Sequence, residues 1–221
     1  MNKSHAALCS SSTWGRHIAD VVLPETLLDV VIVRNVLEIG PGYGAATSRL
    51  SQLTNCLTAI ELDEAMAADL TRKFPSVAVV PGSGANMPFT AGRFDAVVCF
   101  TMLHHVSSTS AQDALFAEAR RVLAPGGVFA GSDSVASPGL RKFHGADTYV
   151  PVDPDMLPRR LAEAGFLDIQ VRVTAPGERF AFSARTHPST MHHVDQNGNR
   201  HEASAIHATT RAPGGAAAEP R

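Results

Sequence analysis

"VLEIGPGYGAA", residues 36–46, decides how this chain is read. An apolar run carrying one carboxylate, Glu38, is followed by three glycines at alternate positions, Gly40, Gly42 and Gly44. Beyond them Ala46, Leu50 and Leu53 fall at helical spacing. A short apolar run, a glycine turn and a helical pattern read as strand, turn and helix. Glycine has no Cβ and tolerates positive φ, so such a turn lets a ligand approach the backbone. The ligand expected at a turn of this kind is a nucleotide.

The same alternation continues outward. "CLTAIEL" (56–62) reads as a second strand, and "DEAMAADLTRKF" (63–74) as a helix capped by Asp63 and stopped by Pro75. "SVAVVP" (76–81) is a third strand, residues 82–93 a loop, and "FDAVVCF" (94–100) a fourth strand too apolar to lie at an edge. A helix follows over 110–123, then a strand over 127–134, an irregular segment over 135–152, and a helix that Asp153 caps, Pro154 opens and Gly165 closes. "FLDIQVRV" (166–173) and "FAFSAR" (180–185), separated by a turn, form a hairpin at a sheet edge. Upstream, residues 11–30 are helical with an interruption at Pro24, and Ser11, Ser12 or Thr13 supplies the cap. Strands alternating with helices imply an α/β fold with a mostly parallel sheet. Ligands in such sheets bind beyond the carboxyl ends of the strands. That rule brings the glycine turn, Glu61, the 82–88 loop and residues 101–105 to one cleft.

Three segments follow from this pattern: a helical stretch over 1–33 packed on the core, an α/β domain over 34–185, and a polar tail over 186–221 that reads as disordered. Five of the ten histidines fall in the tail, at His187, His192, His193, His201 and His207, without a cysteine or paired carboxylates beside them, so no metal site is expected. A formal net charge of -2 argues against nucleic acid or an anionic membrane as partner. No apolar run is long enough for a signal peptide or a spanning helix. Three scattered cysteines, Cys9, Cys56 and Cys99, read as reduced thiols of a cytoplasmic protein.

Two nucleotides fit the turn. Gly40, Gly42 and Ala45 satisfy G-x-G-x-x-G/A, the dinucleotide pattern, and Gly40, Gly42 and Gly44 behind Glu38 satisfy E-x-G-x-G-x-G, the pattern of proteins that use S-adenosylmethionine. Glu61 at the end of the second strand suits the ribose of either. Glu38 separates them, because a carboxylate beside the turn repels a pyrophosphate. S-adenosylmethionine has no phosphate and carries positive charge on sulfur and the α-amino group. On this reading the glycines are there because a Cβ would collide with the cofactor.

The motifs "VLEIGPGYG", "LTAIELDEAM", "PGSGANMPFTAGRFDAVVCFTMLHHV" and "RVLAPGGVFAGSDS" together resemble class I S-adenosylmethionine-dependent methyltransferases of the small-molecule type, and "DTYVPVDPDMLPRRLAEAGF" looks like actinobacterial relatives of unassigned substrate. The resemblance covers residues 35–135 well and 1–185 more loosely. It implies a Rossmann-like, doubly wound sheet of seven strands in order 3-2-1-4-5-7-6, with the last-added strand antiparallel. It also implies that Glu38, Gly40, Gly42 and Gly44 surround the methionine part of the cofactor, that Glu61 holds the ribose hydroxyls, that Leu62 lies against adenine and that Met87 packs near the ring. Where the family carries Gly-Asp-Ala this chain has Gly82, Ser83 and Gly84, so a neutral Ser83 replaces the carboxylate that accepts from the adenine amino group.

"TMLHHV" puts Thr101, His104 and His105 at the mouth of the cleft, where either histidine can act as a base or simply line the site. A small-molecule acceptor would meet Trp14, Arg16 and His17 on one side and Phe143, His144, Asp147 and Tyr149 on the other. "CFTMLH" stands where amino-methylating enzymes of nucleic acids carry an N-P-P-Y/F tetrapeptide, which argues against that acceptor class. A nicotinamide-dependent oxidoreductase and a catalytically silent relative that only binds remain as alternatives.

Overall fold

A computed structural model of the chain describes residues 2–188 apart from 33, 146, 175 and 176, together with strands Met191–Val194 and Arg200–Ala203. Its sheet has seven strands: β1 (Asn35–Ile39), β2 (Cys56–Glu61), β3 (Ala78–Pro81), β4 (Phe94–Phe100), β5 (Leu123–Ser134), β6 (Leu167–Thr174) and β7 (Arg179–Arg185). Their order is β3-β2-β1-β4-β5-β7-β6, and β7 alone runs against its neighbours. This is the doubly wound sheet the resemblance implies.

Side-chain alternation along β1 assigns the two faces. Leu37 and Ile39 join a core with Leu115 and Phe116 of α6 (Thr109–Val122) and Leu157 and Leu161 of α8 (Leu157–Glu163). Val36 joins the opposite core with Leu50 of α4 (Thr47–Leu53) and with Ile18 and Val22. Glu38 shares the parity of Val36, so the strand's period of two sends its carboxylate toward α4. α5 (Glu64–Lys73) is capped by Asp63, whose side chain accepts from the N–H groups of Ala65 and Met66.

The helical segment before β1 differs from its expected form. Residues 3–9 and 12–17 make two short helices, α1 (Lys3–Cys9) and α2 (Ser12–His17), and the Ser11 hydroxyl caps the second by accepting the Trp14 N–H. A wide π turn, Ile18–Val22, then leads into α3 (Leu23–Thr26). Pro24 explains the wide turn: its ring would meet the carbonyl four residues earlier in a regular helix, and it has no N–H to donate. Two ion pairs hold the segment to the β6–β7 hairpin, Arg179–Glu25 at 2.8 Å and Arg172–Asp29 at 2.6 Å.

The irregular 135–152 segment contains one further helix, α7 (Pro138–His144), capped by Ser137. The helix expected from Pro154 begins instead at Leu157, because the Asp153 carboxylate accepts the Asp155 N–H at 2.9 Å and closes a separate turn. Asn2 ties α1 to the end of α7. Its amide donates to the carbonyls of Phe143 and His144, both at 3.0 Å, and its backbone N–H donates to Asp147 at 2.7 Å.

Residues 188–221 form a separate unit. Within it Met191–Val194 and Arg200–Ala203 pair antiparallel, with His193 opposite His201, where the sequence analysis expects no element. The rest of the expected tail, His207 included, lies outside the described residues. Among the described residues no helix is long and apolar enough to cross a membrane.

Candidate active site

The glycine turn follows β1 with φ of 63°, 56° and 81° at Gly40, Gly42 and Gly44. The three glycines answer to different constraints. A Cβ at Gly40 would lie 2.9 Å from Met102 Cε, and one at Gly44 would overlap the ring edge of Phe74 in the residue after α5. Around a Cβ at Gly42 nothing lies within 4 Å. Gly40 and Gly42 both line the cleft, and of the two only Gly42 has open space where a Cβ would stand; Gly44 packs against Phe74 and Leu70.

Two carboxylates flank the turn. Glu38 is buried, and its Oε2 accepts from the Thr47 hydroxyl at 2.7 Å. Burial, reinforced by the charge of Glu61, pushes the Glu38 carboxyl up to about 7. A raised carboxyl favours the folded state most when protonated. That contribution is complete below the ordinary value of 4.5 and is lost as pH rises through about 7. Glu38→Gln should therefore match the wild type in stability at pH 4 and exceed it by on the order of 3 kcal/mol at pH 8, as measured by urea unfolding at the two pH values.

Glu61 Oε2 accepts the Gly42 N–H at 3.0 Å, and Oε1 accepts the Asp63 N–H at 3.1 Å. Its carboxylate is thus fixed at the lip of a cleft of about 380 Å³ that Leu62, Ser83, Gly84 and Val106 also line. Leu62 is 74% exposed there, an apolar surface suited to a flat ring. The Ser83 hydroxyl accepts the Ala85 N–H at 3.2 Å. Met87 is buried in the core beneath the loop rather than along the cleft wall, and its N–H donates to Glu118. Phe89, two residues on, is buried in the same core, and the two side chains together anchor the loop from below.

Past Gly40 and Gly42 the cleft narrows to a passage of about 100 Å³ bounded by Glu38, Tyr43, Thr101, Met102 and His105. Thr101 has φ of 50°, a left-handed conformation costly for a β-branched residue, and its N–H donates to Ser132 O at 2.8 Å. The passage shares His5, Cys9, Trp14 and Thr101 with a chamber of about 570 Å³. Leu8, Trp14, Val135, Leu140 and Phe143 make much of the chamber wall apolar.

His104 is buried at the chamber's base. Its Nδ1 lies 2.5 Å from Asp133 Oδ1, and its backbone N–H donates to Asp133 Oδ2 at 3.0 Å. Asp133, fully buried at the end of β5, fixes the ring and leaves Nε2 as the nitrogen able to accept a proton. His105 lies between the cleft and the passage, and burial together with neighbouring histidines lowers it to about 4. His5 and His144 complete a cluster of imidazoles around it.

Of the expected acceptor contacts, Trp14, His17, Phe143 and His144 line the chamber. Arg16 does not; its guanidinium lies 3.4 Å from the Thr13 hydroxyl on the outer side of α2. Tyr149 stacks on His144 at 4.4 Å, and Asp147 lies 3.4 Å from His5 Nδ1.

Residues 37–131 match the family model described as a methyltransferase domain. This segment is similar to S-adenosylmethionine-dependent methyltransferases. "Probable S-adenosylmethionine-dependent methyltransferase" of Mycolicibacterium smegmatis is 32% identical over 122 residues, which are 55% of this chain and 44% of that one. A protein of the same description in Mycobacterium tuberculosis is 29% identical over 145 residues, 62% and 50% of the two chains. The chain thus spans about half the length of the curated relatives it matches. Phosphoethanolamine N-methyltransferase 2 of Haemonchus contortus shares the fold, with a TM-score of 0.64 at 16% identity over 80% of this chain and 53% of that one.

Three residues around the cleft and chamber, Asp133, Met102 and His5, were not singled out by the sequence reading. Asp133 could have been found, since it lies one residue before the end of β5, much as Glu61 ends β2. Met102, beneath Gly40, had no signal beyond its place after β4. His5 gave none, because α1 is a short polar stretch tied to residues more than 140 positions away. Glu61→Ala removes the brace on Gly42 and the carboxylate that the family resemblance assigns to the ribose hydroxyls; S-adenosylmethionine binding should weaken by about 30- to 150-fold in calorimetric titration, the loss of two charge-assisted hydrogen bonds.

Proposed function

We propose that this protein transfers the methyl group of S-adenosylmethionine to a small, largely apolar acceptor with His104 as the general base. One observation carries the reading: the buried His104–Asp133 pair opens on an apolar chamber that joins the cleft through Thr101 and Met102. The residues of the cleft fit the cofactor. Gly42 leaves space at the turn, Glu61 offers acceptors for ribose hydroxyls, and Leu62 offers an apolar face to adenine. Glu38 and Tyr43 bound the passage where the methionine part would lie. The cofactor supplies a methyl group already activated by sulfonium. The protein aligns it with the acceptor, excludes water and takes the acceptor's proton on His104.

The chamber's apolar wall supports a small molecule rather than a nucleic acid strand as acceptor, and the three unpaired cysteines are consistent with a cytoplasmic protein. The test is release of S-adenosylhomocysteine across phenols, alcohols, thiols and amines, with the product's mass read in parallel. Methylation of one class supports the reading. Cofactor binding without turnover on any acceptor would leave a silent binding protein, and preferential uptake of a nicotinamide dinucleotide would favour an oxidoreductase.

A further inference from the structure

His5, His105 and His144 come from α1, from the short turn after β4 and from the end of α7. One ring nitrogen of each lies within 4.8 Å of those of the other two. Their second nitrogens are already engaged. His144 Nδ1 lies 2.7 Å from Leu140 O, His105 Nδ1 3.3 Å from Thr148 O, and His5 Nδ1 3.4 Å from Asp147. A carbonyl can only accept, so His105 and His144 carry the hydrogen on Nδ1 and the lone pair on Nε2; the Asp147 carboxylate selects the same tautomer at His5. His144 is 2% exposed, and its Nε2 is buried without a hydrogen-bond partner. An imidazole whose far nitrogen is held by a carbonyl or carboxylate, with the near one unpartnered, is how metal-binding histidines are oriented.

We propose that His5, His105 and His144 form a three-imidazole site for a borderline divalent ion such as Zn²⁺, with its open position toward the acceptor chamber. Three neutral nitrogens suit Zn²⁺ or Co²⁺ rather than Mg²⁺ or Ca²⁺, which take oxygen ligands. Three protein ligands with one position left open is the arrangement of a catalytic rather than a structural site. Tetrahedral coordination at 2.0–2.1 Å brings the nitrogens to about 3.3 Å apart, so nitrogens now within 4.8 Å of one another draw in by up to about 1.5 Å on loading.

The assignment of a chemical role rests on the methyltransferase reading. The ion narrows the acceptor to a hydroxyl or thiol, the groups it can bind and acidify. The coordinated group loses its proton to His104, whose ring centroid lies 4.1 Å from that of His105. The freed lone pair forms a bond to the methyl carbon, and the electrons of the broken carbon–sulfur bond return to sulfur.

The full-length chain is stripped with chelator and titrated with Co²⁺, read by the visible absorption of tetrahedral cobalt and by bound metal per chain. One equivalent with tetrahedral bands is expected for the wild type. His105→Ala, a half-buried position that retains every histidine after residue 186, should bind at least ~100-fold more weakly, beyond the usual effect of an outer-shell change. His144→Ala should do the same, and if it does not fold, His5→Gln takes its place. Absence of tetrahedral bands in the wild type, or equal titrations of wild type and His105→Ala, overturns the site. S-adenosylmethionine binding is measured on the same samples. Metal binding without methylation of any acceptor leaves the site standing and removes the reading above, whereas methylation that is indifferent to chelation leaves that reading standing and overturns the ion's role in it.

Discussion

Gly42→Val yields a folded protein that no longer takes up S-adenosylmethionine. The position has φ of 56° and nothing within 4 Å of an added Cβ, so the new side chain projects into empty cleft rather than into the core. The left-handed conformation costs roughly 1–2 kcal/mol for a residue with a Cβ, a fall of only a few degrees in Tm for a chain of this size. Calorimetric titration should show at least ~100-fold weaker binding, or ~2.7 kcal/mol. Gly44→Ala is the contrasting case. Its Cβ overlaps Phe74 and crowds Leu70, so that variant loses stability first and binding only as a consequence. Unchanged affinity in Gly42→Val would move the cofactor to another part of the molecule.

His104→Ala lowers kcat by about 10²- to 10⁴-fold while leaving S-adenosylmethionine affinity unchanged, since the base acts on the acceptor and not on the cofactor. Asp133→Asn should lower kcat in the same direction and alter the pH profile, because an amide no longer fixes the ring by accepting from Nδ1–H. Asp133 is a positioning residue here: it is fully buried and acts through His104. A His104→Ala enzyme that keeps full kcat on an acceptor methylated by the wild type would remove the base from the mechanism.

The sheet was legible because its strands are marked by strong local signals. β1 and β4 occupy the residues read from their apolar runs, and β2 and β3 differ from the reading only at their ends. Local rules carried less weight where a tertiary contact competes. Residues 11–30 show helical periodicity, yet Pro24 imposes a wide turn that periodicity does not encode. Asp153 and Pro154 carry the chemistry of a helix start but close a turn one step early. α7 was hidden because its seven residues, "PGLRKFH", hold a glycine and too few apolar positions to show a face.

The cofactor side of the site was written along the chain more clearly than the acceptor side. Glu38, Gly42, Glu61 and Leu62 stand beside strand ends, where the topology itself converges. The histidine cluster is drawn from positions 5, 104, 105 and 144, which no local spacing connects. Met87 is the opposite case: its place in the 82–88 loop is plain from the sequence, while the turn of its side chain to the core is not.

The bonds from Asn2 to Phe143, His144 and Asp147 span 141 to 145 positions of chain. Joining points so far apart carries a large loop-closure cost unless the intervening residues have already folded. The contacts of α1 with α7 close a far longer loop than any pairing among β1 to β5. His5 and the α1 side of the chamber depend on α1 docking against α7, so the proposed acceptor side of the site rests on a longer-range contact than the proposed cofactor side.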